Sequence, residues 1–187
     1  MNEKPIVTVF GGAAPAEGEP AYCAAEKLGA ALAKAGFSIA TGGYIGTMEA
    51  VSKGATEAGG HVYGVTCEQI EAWRGIKPNA WVQEEIRCRT LRERLARLVE
   101  IGDAWIALPG GIGTLSEISL CWSLLQTEEI APRPLILIGD MWKSTFDHFR
   151  ISAARYVKPR DHAFLIFAPD ANGVVFELLE NHFKKAL

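Results

Sequence analysis

Three times along this chain a short apolar run ends in paired glycines and gives way at once to a helical pattern. Residues 6–10 run into Gly11-Gly12, residues 37–40 into Thr41-Gly42-Gly43, and residues 104–108 into Pro109-Gly110-Gly111. Runs this short and this continuously apolar suit strands covered on both faces. Such strands pair in parallel, and a parallel pair is joined by a crossover, usually a helix, because no tight turn can close it. The pattern therefore predicts a parallel sheet with helices on both faces, a doubly wound α/β architecture. Ligands of such sheets lie beyond the carboxyl ends of the strands, where these glycines sit, so one cleft can collect all three turns.

The rest of the chain keeps the same rhythm. Helices are predicted over 20–35, closed by Gly36, and over 45–58, closed by Gly59-Gly60. A third strand is predicted at 61–65 and a short fourth at 81–86. Residues 66–80 between them carry Trp73, Gly75, Pro78 and Asn79 and are read as a surface loop over a site. An arginine-dense helix at 88–101 precedes the strand at 104–108, and a helix at 115–126 follows it. A strand at 134–138, a helix from Met141, a strand at 164–167 and a terminal helix at 173–184 complete the pattern. No repeat, low-complexity tract or linker divides the 187 residues, so a single domain over 1–187 is expected.

Bulk properties narrow the function classes. Hydrophobic residues make up 49% of the chain and charged residues 22%, which suits a packed globular protein. A net charge of −3 gives nucleic acid no electrostatic footing, and none is expected as a partner. No apolar run approaches the ~20 residues that a membrane span needs. Met1-Asn2-Glu3-Lys4-Pro5 leads straight into a strand without a signal-peptide pattern. Cys23, Cys67, Cys88 and Cys121 are widely spaced and contain no C-x-x-C pair, which fits reduced, mostly buried thiols in a cytoplasmic protein. His61, His148, His162 and His182 have no ligand spacing, so neither a metal nor a cofactor is expected.

The densest chemistry lies in Pro109-Gly110-Gly111-Ile112-Gly113-Thr114-Leu115-Ser116-Glu117. Glycines at a strand-to-helix turn let the backbone approach a ligand, and the helix N-terminus offers unpaired N–H groups to an anion. Gly110, Gly111, Gly113 and the Thr114 hydroxyl make a candidate phosphate cradle, and Glu117 places a carboxylate one turn into the same helix. The segment has neither the lysine of a Walker loop nor the third glycine of a dinucleotide fingerprint, which disfavours ATP hydrolysis and NAD binding. The chain also lacks a G-x-S-x-G elbow, which removes an α/β-hydrolase. Gly42, Gly43, Gly46 and Thr47 repeat the design as a second candidate ligand turn. Gly11 and Gly12 offer a third, small enough to admit a sugar or base. Glu49 is explained by dipole compensation.

Residues 87–97 hold five arginines, with Leu91, Leu95 and Leu98 marking a buried helical stripe. Arg94 lies at the edge of that stripe and can reach a cleft. Arg87, Arg89, Arg92 and Arg97 are expected to be solvated or paired with acids such as Glu93. Trp105, Trp122 and Leu125 are read as core.

The stretch Pro109 to Glu117 resembles the P-G-G-x-G-T-x-x-E motif of the LOG ("lonely guy") proteins, long described as lysine decarboxylases. Supporting similarity covers residues 5–140: Val9-Phe10-Gly11, the Gly-Gly-x-x-Gly-x-Met turn at 42–48, and Gly59-Gly60-His61-Val62-Tyr63-Gly64-Val65. The resemblance implies a Rossmann-like fold, a homodimer or larger assembly, and hydrolysis of nucleoside 5′-monophosphates to a free purine or cytokinin base and ribose 5-phosphate. Carried over by position, it implies Glu117 as catalytic carboxylate and Arg94, counted back from Asp103-Ala104, as catalytic arginine. Gly110, Gly111, Gly113 and Thr114 would hold the 5′-phosphate. The chain departs from plant-type members at Leu95, where they have lysine, and at Ser116, where they have glutamate. Trp122 also falls two residues early for their Thr-Trp pair. These departures imply a divergent branch, with altered substrate choice or lost turnover. The alternative is a nucleotide or phospho-cofactor binding protein without catalysis, similar to molybdenum-cofactor carriers. A pyridoxal-dependent decarboxylase is rejected, because no lysine sits in a recognisable Schiff-base context.

Overall fold

Each of the apolar runs becomes a strand of one sheet in the computed structural model, which describes residues 4–183. The strands are β1 (Ile6–Phe10), β2 (Ser38–Thr41), β3 (Val62–Cys67), β4 (Glu84–Cys88), β5 (Ala104–Ala107), β6 (Leu135–Ile138) and β7 (Leu165–Ala168). The helices are α1 (Pro20–Lys34), α2 (Thr47–Glu57), α3 (Glu68–Arg74), α4 (Leu91–Ile101), α5 (Ile112–Gln126), α6 (Asp140–Ser152), α7 (Pro159–His162) and α8 (Ala171–Glu177). A π turn at Leu178–His182 follows α8. All neighbouring strands pair in parallel, in the order β4-β3-β2-β1-β5-β6-β7. The chain builds outward from β1 to β4, returns to the other side of β1 as β5, and builds outward again. The winding therefore reverses between β1 and β5, as the predicted doubly wound α/β fold requires.

Successive strand residues feed two separate cores, which is why the runs are apolar at nearly every position. Val7, Val9, Ile106 and Ile136 pack under α1, α2 and α8 with Leu28, Leu32, Val51 and Val174. Phe10, Trp105, Leu135 and Leu137 point the other way, against Leu98 of α4, Ile118 and Cys121 of α5, and Trp142 and Phe146 of α6. Trp105 is fully buried and donates its indole N–H to the Val99 carbonyl at 3.1 Å. Trp122 is only half-buried. It donates to the Asp161 carbonyl at 2.6 Å and meets Phe146 edge-on, so its role is packing.

Several boundaries differ from the sequence reading for local physical reasons. Residues 66–80 are not one loop, because β3 runs on to Cys67 and α3 occupies Glu68–Arg74, ending at Gly75 with φ 65°. The arginine-dense segment is split between strand and helix. Arg87 lies on β4, and α4 starts only at Leu91, where Thr90 and Glu93 form a capping box. Glu93 therefore accepts from the backbone N–H groups of Arg89 and Thr90 instead of pairing with an arginine, while Arg87 pairs with Glu68, Glu71 and Glu85. The terminal helix begins two residues before Gly173, at Ala171. Its predicted end at Lys184 lies outside the described residues, as do Met1, Asn2 and Glu3.

Helices α1 and α2 approach more closely than side chains would allow. A Cβ on Gly54 would fall on the Glu26 carbonyl, and one on Gly29 on the Val51 carbonyl. Alanine is favoured over glycine by about 1 kcal/mol inside a helix, but overpacking typically costs about 1–3 kcal/mol. Backbone atoms cannot swing aside, so the packing cost wins. Gly54→Ala is expected to lower unfolding stability by about 2 kcal/mol in urea titrations, against the sign that helix propensity alone gives.

Candidate active site

The cleft forms where the winding reverses. Beyond β1 and β5 the two connections diverge, and the turns that leave them are stitched together by backbone bonds. Gly12 N–H donates to the Pro109 carbonyl at 3.3 Å. Thr47 donates to the Gly12 carbonyl through both its N–H, at 2.9 Å, and its hydroxyl, at 3.0 Å. From α6, the Trp142 indole N–H braces the end of β5 by donating to the Leu108 carbonyl at 2.9 Å. The resulting cavity has a volume of about 550 Å³.

Glycines from two of the three turns line this cavity. Gly11, Gly12, Gly111, Gly113 and Thr114 line it, together with Arg94 and Glu117. The turn at 42–47 reaches it only through Tyr44, and the predicted Gly42, Gly43, Gly46 and Thr47 are not lining residues. Gly43 and Gly46 hold φ of 76° and 73°, where a side chain is strained, so turn geometry explains them. Gly110 also lies outside the lining, and a Cβ there would meet the Thr114 hydroxyl. Gly111 and Gly113 differ, because a Cβ on either would meet nothing within 4 Å. Packing does not explain their missing side chains, whereas a ligand seated on the N-terminus of α5 would. Ile112, Gly113 and Thr114 occupy its first turn, where N–H groups have no intrahelical acceptor.

Arg94 and Glu117 meet across the floor. The Arg94 guanidinium is 3.8 Å from a Glu117 carboxylate oxygen, and the two side chains are 8% and 9% exposed. Arg94 is pinned on its other edges: Nε donates to the Val65 carbonyl at 2.8 Å and Nη2 to the Gly42 carbonyl at 3.2 Å. Its guanidinium carbon also lies 5.6 Å from the Tyr44 ring centre. A side chain on Gly42 would collide with the guanidinium, which is what that glycine is for. Burial pushes the Glu117 carboxyl up from 4.5 to about 7, against the opposing pull of Arg94. Such a group exchanges a proton near neutrality, as a general acid or base requires.

The buried stripe of α4 matches the predicted one only at Leu98. Leu91 is exposed and Leu95 half-buried, while Arg94, Leu98 and Val99 face inward. Leu95 and Ser116, the two departures from the plant-type motif, do not line the cavity. Ser116 is exposed and donates to the Ile112 carbonyl of its own helix at 2.8 Å. Sequence reasoning missed Tyr44, Met48 and the α3 residues Gln69, Ile70, Trp73 and Arg74, all of which line the cavity. The available signal was Trp73 in a stretch already read as lying over a site. Burial pushes the Tyr44 hydroxyl up to about 12, so it stays protonated. Among the described residues no group of three metal-ligating side chains comes together.

A family described as possible lysine decarboxylase matches residues 48–178. A cytokinin riboside 5′-monophosphate phosphoribohydrolase of Rhodococcoides fascians is 30% identical over 175 residues, covering 90% of this chain and 86% of that protein. The chain belongs to the LOG family. LOG-family similarity extends to a pyrimidine/purine nucleotide 5′-monophosphate nucleosidase of Escherichia coli, 33% identical over 163 residues, which cover 81% of this chain and 34% of that protein. Among solved structures, the molybdenum cofactor binding protein of Rippkaea orientalis superposes with a TM-score of 0.73 at 25% identity, over 95% of this chain and 96% of that one. Among the described residues no lysine lines the cleft of this LOG-family chain, so they offer it no amine for the Schiff base that the older description would need.

The open faces of Gly111 and Gly113 give a test that separates folding from binding. Gly113→Ala is expected to leave thermal stability unchanged or slightly raised, since the methyl enters open space within a helix. The same substitution is expected to weaken AMP binding about tenfold or more in calorimetry, because the methyl occupies the anion's place.

Proposed function

We propose that this LOG-family protein is a nucleoside 5′-monophosphate phosphoribohydrolase, one domain over residues 1–187. It releases a free purine or cytokinin base and ribose 5-phosphate. The observation that carries this reading is the Glu117 carboxyl, held near neutrality by burial and 3.8 Å from Arg94, on the helix whose N-terminus carries the glycine cradle. The names of the relatives support the same reaction.

With the 5′-phosphate on the N–H groups of Ile112, Gly113 and Thr114, the sugar is held over the Arg94–Glu117 pair. The bond between C1′ and the base nitrogen breaks with its electron pair leaving on the base, through an oxocarbenium-like state. Ionised Glu117 stabilises the positive charge at the sugar and takes a proton from the water whose oxygen bonds to C1′. The departing nitrogen takes a proton from solvent water and Glu117 returns its proton to solvent, so one water is divided between C1′, as hydroxyl, and the base, as hydrogen. Arg94 is fixed by two backbone carbonyls, so it orients the carboxylate without reorganising during the reaction.

The reading includes a homodimer. Ile112 of α5 and Leu91 of α4 are exposed at the cleft, and Leu115 is exposed on α5, apolar surface that a second copy would cover. It also places the protein in the cytoplasm, where the four free cysteines stay reduced. Among the described residues no helix is long and apolar enough to cross a membrane.

Following free base from AMP and cytokinin monophosphates by chromatography tests the hydrolase. Glu117→Gln is expected to lower kcat by at least about a hundredfold, the scale of a lost general base. Because the ionised carboxylate does the work, kcat/KM is expected to rise with pH, levelling off above about 7, and to fall about tenfold per unit below it. Wild-type protein that binds AMP but releases no base would move the chain to the non-catalytic nucleotide or cofactor-carrier class. In light scattering the expected mass is twice the 20.3 kDa of one chain, and a mass of one chain would remove the dimer.

A further inference from the structure

The proposed reaction leaves one wall of the cleft without a task. Opposite the glycine cradle stands α3, which places Gln69, Ile70, Trp73 and Arg74 on the cavity. Trp73 is 76% exposed, a large apolar face left in water at the edge of a ligand site. The Arg74 guanidinium lies over its ring at 4.8 Å, leaving a cation and a π surface side by side. The short helix that carries them is pinned at its base. Cys67 N–H donates to the Tyr44 hydroxyl at 2.6 Å, and Glu71 accepts from both that hydroxyl and Arg87, at 3.3 and 2.9 Å. Gln69 is turned by accepting from the Leu91 N–H at 3.1 Å, which directs its carbonyl to α4 and leaves its NH2 as the donor.

We infer that α3 is the nucleobase wall, with the Trp73 indole as stacking platform for a purine and Arg74 as its cationic neighbour. This rests on the nucleotide reading above. A phosphate on α5 and a sugar over Arg94 leave the base to meet an aromatic side chain of the lining; among the described residues these are Tyr44 and Trp73, and Tyr44, 2% exposed, has no open face to offer. Stacking is sequence-tolerant but grows with ring overlap, so a two-ring base gains more than a pyrimidine.

Calorimetry with AMP, UMP and ribose 5-phosphate on wild type, Trp73→Ala and Trp73→Phe tests the wall. Trp73→Ala is expected to weaken AMP about tenfold, UMP less, and ribose 5-phosphate not at all. Trp73→Phe is expected to recover most of the AMP affinity. AMP affinity within twofold of wild type in Trp73→Ala overturns the proposal, and so does an equal loss for ribose 5-phosphate or a wild type that binds AMP no better than ribose 5-phosphate. The two readings fail separately. Trp73-dependent AMP binding without base release removes only the hydrolase. Base release with an unchanged KM for AMP in Trp73→Ala removes only the wall.

Discussion

A guanidinium taken out of water must find its hydrogen bonds and countercharge inside the protein, or folding loses several kcal/mol. Arg94 is 6% exposed and meets that demand with the carbonyls of Val65 and Gly42, the face of Tyr44 and the carboxylate of Glu117. Those partners come from β3, the turn after β2 and α5, so one side chain ties together most of the elements around the cleft. The requirement propagates outward: Gly42 must lack a side chain to leave room, and Tyr44 must be held, which its hydroxyl achieves through Cys67. Glu117 gives Arg94 a countercharge but finds no hydrogen-bond donor of its own among the described residues. Burial therefore outweighs the arginine's pull, and the carboxyl sits near neutrality. The tension that gives Glu117 its chemistry follows from how completely the arginine is satisfied by others.

The glycines divide into two kinds once their surroundings are known. Gly42, Gly43, Gly46 and Gly110 are required by the protein itself, through close approach or positive φ. Gly111 and Gly113 have open space where a side chain would go, so packing does not require their smallness. The cradle is thus narrower than the glycine-rich stretch around it. It is also backed by the reversal of winding between β1 and β5, which splays the connections apart and makes room for a ligand without a dedicated cavity-forming element.

Legibility followed the range of the interaction. The inner strands were readable because each buries both faces, and that demand leaves apolar runs such as 6–10 and 104–108. The pair of Arg94 and Glu117 was reached through a motif match, not through periodicity. Periodicity pointed to Leu91 and Leu95, yet the helix turns Arg94 inward because a charge can occupy a core-facing position when carbonyls from other strands meet it. The helix at Glu68–Arg74 was hidden for a related reason. It has no buried residue of its own, so it carries no amphipathic stripe, and its place is fixed by Tyr44 and by Arg87 from β4.

By itself the sequence determined the layer architecture, the positions of the glycine turns, and the helix that starts after β5. These depend on local backbone chemistry and on the period of burial, both of which are written within a few residues. Only the tertiary structure decided which glycines line the cavity, which arginine is the buried one, that Leu95 and Ser116 stand outside it, and that α3 contributes one of its walls. Those outcomes depend on what residues distant in the chain place within a few ångströms, and no local pattern records it.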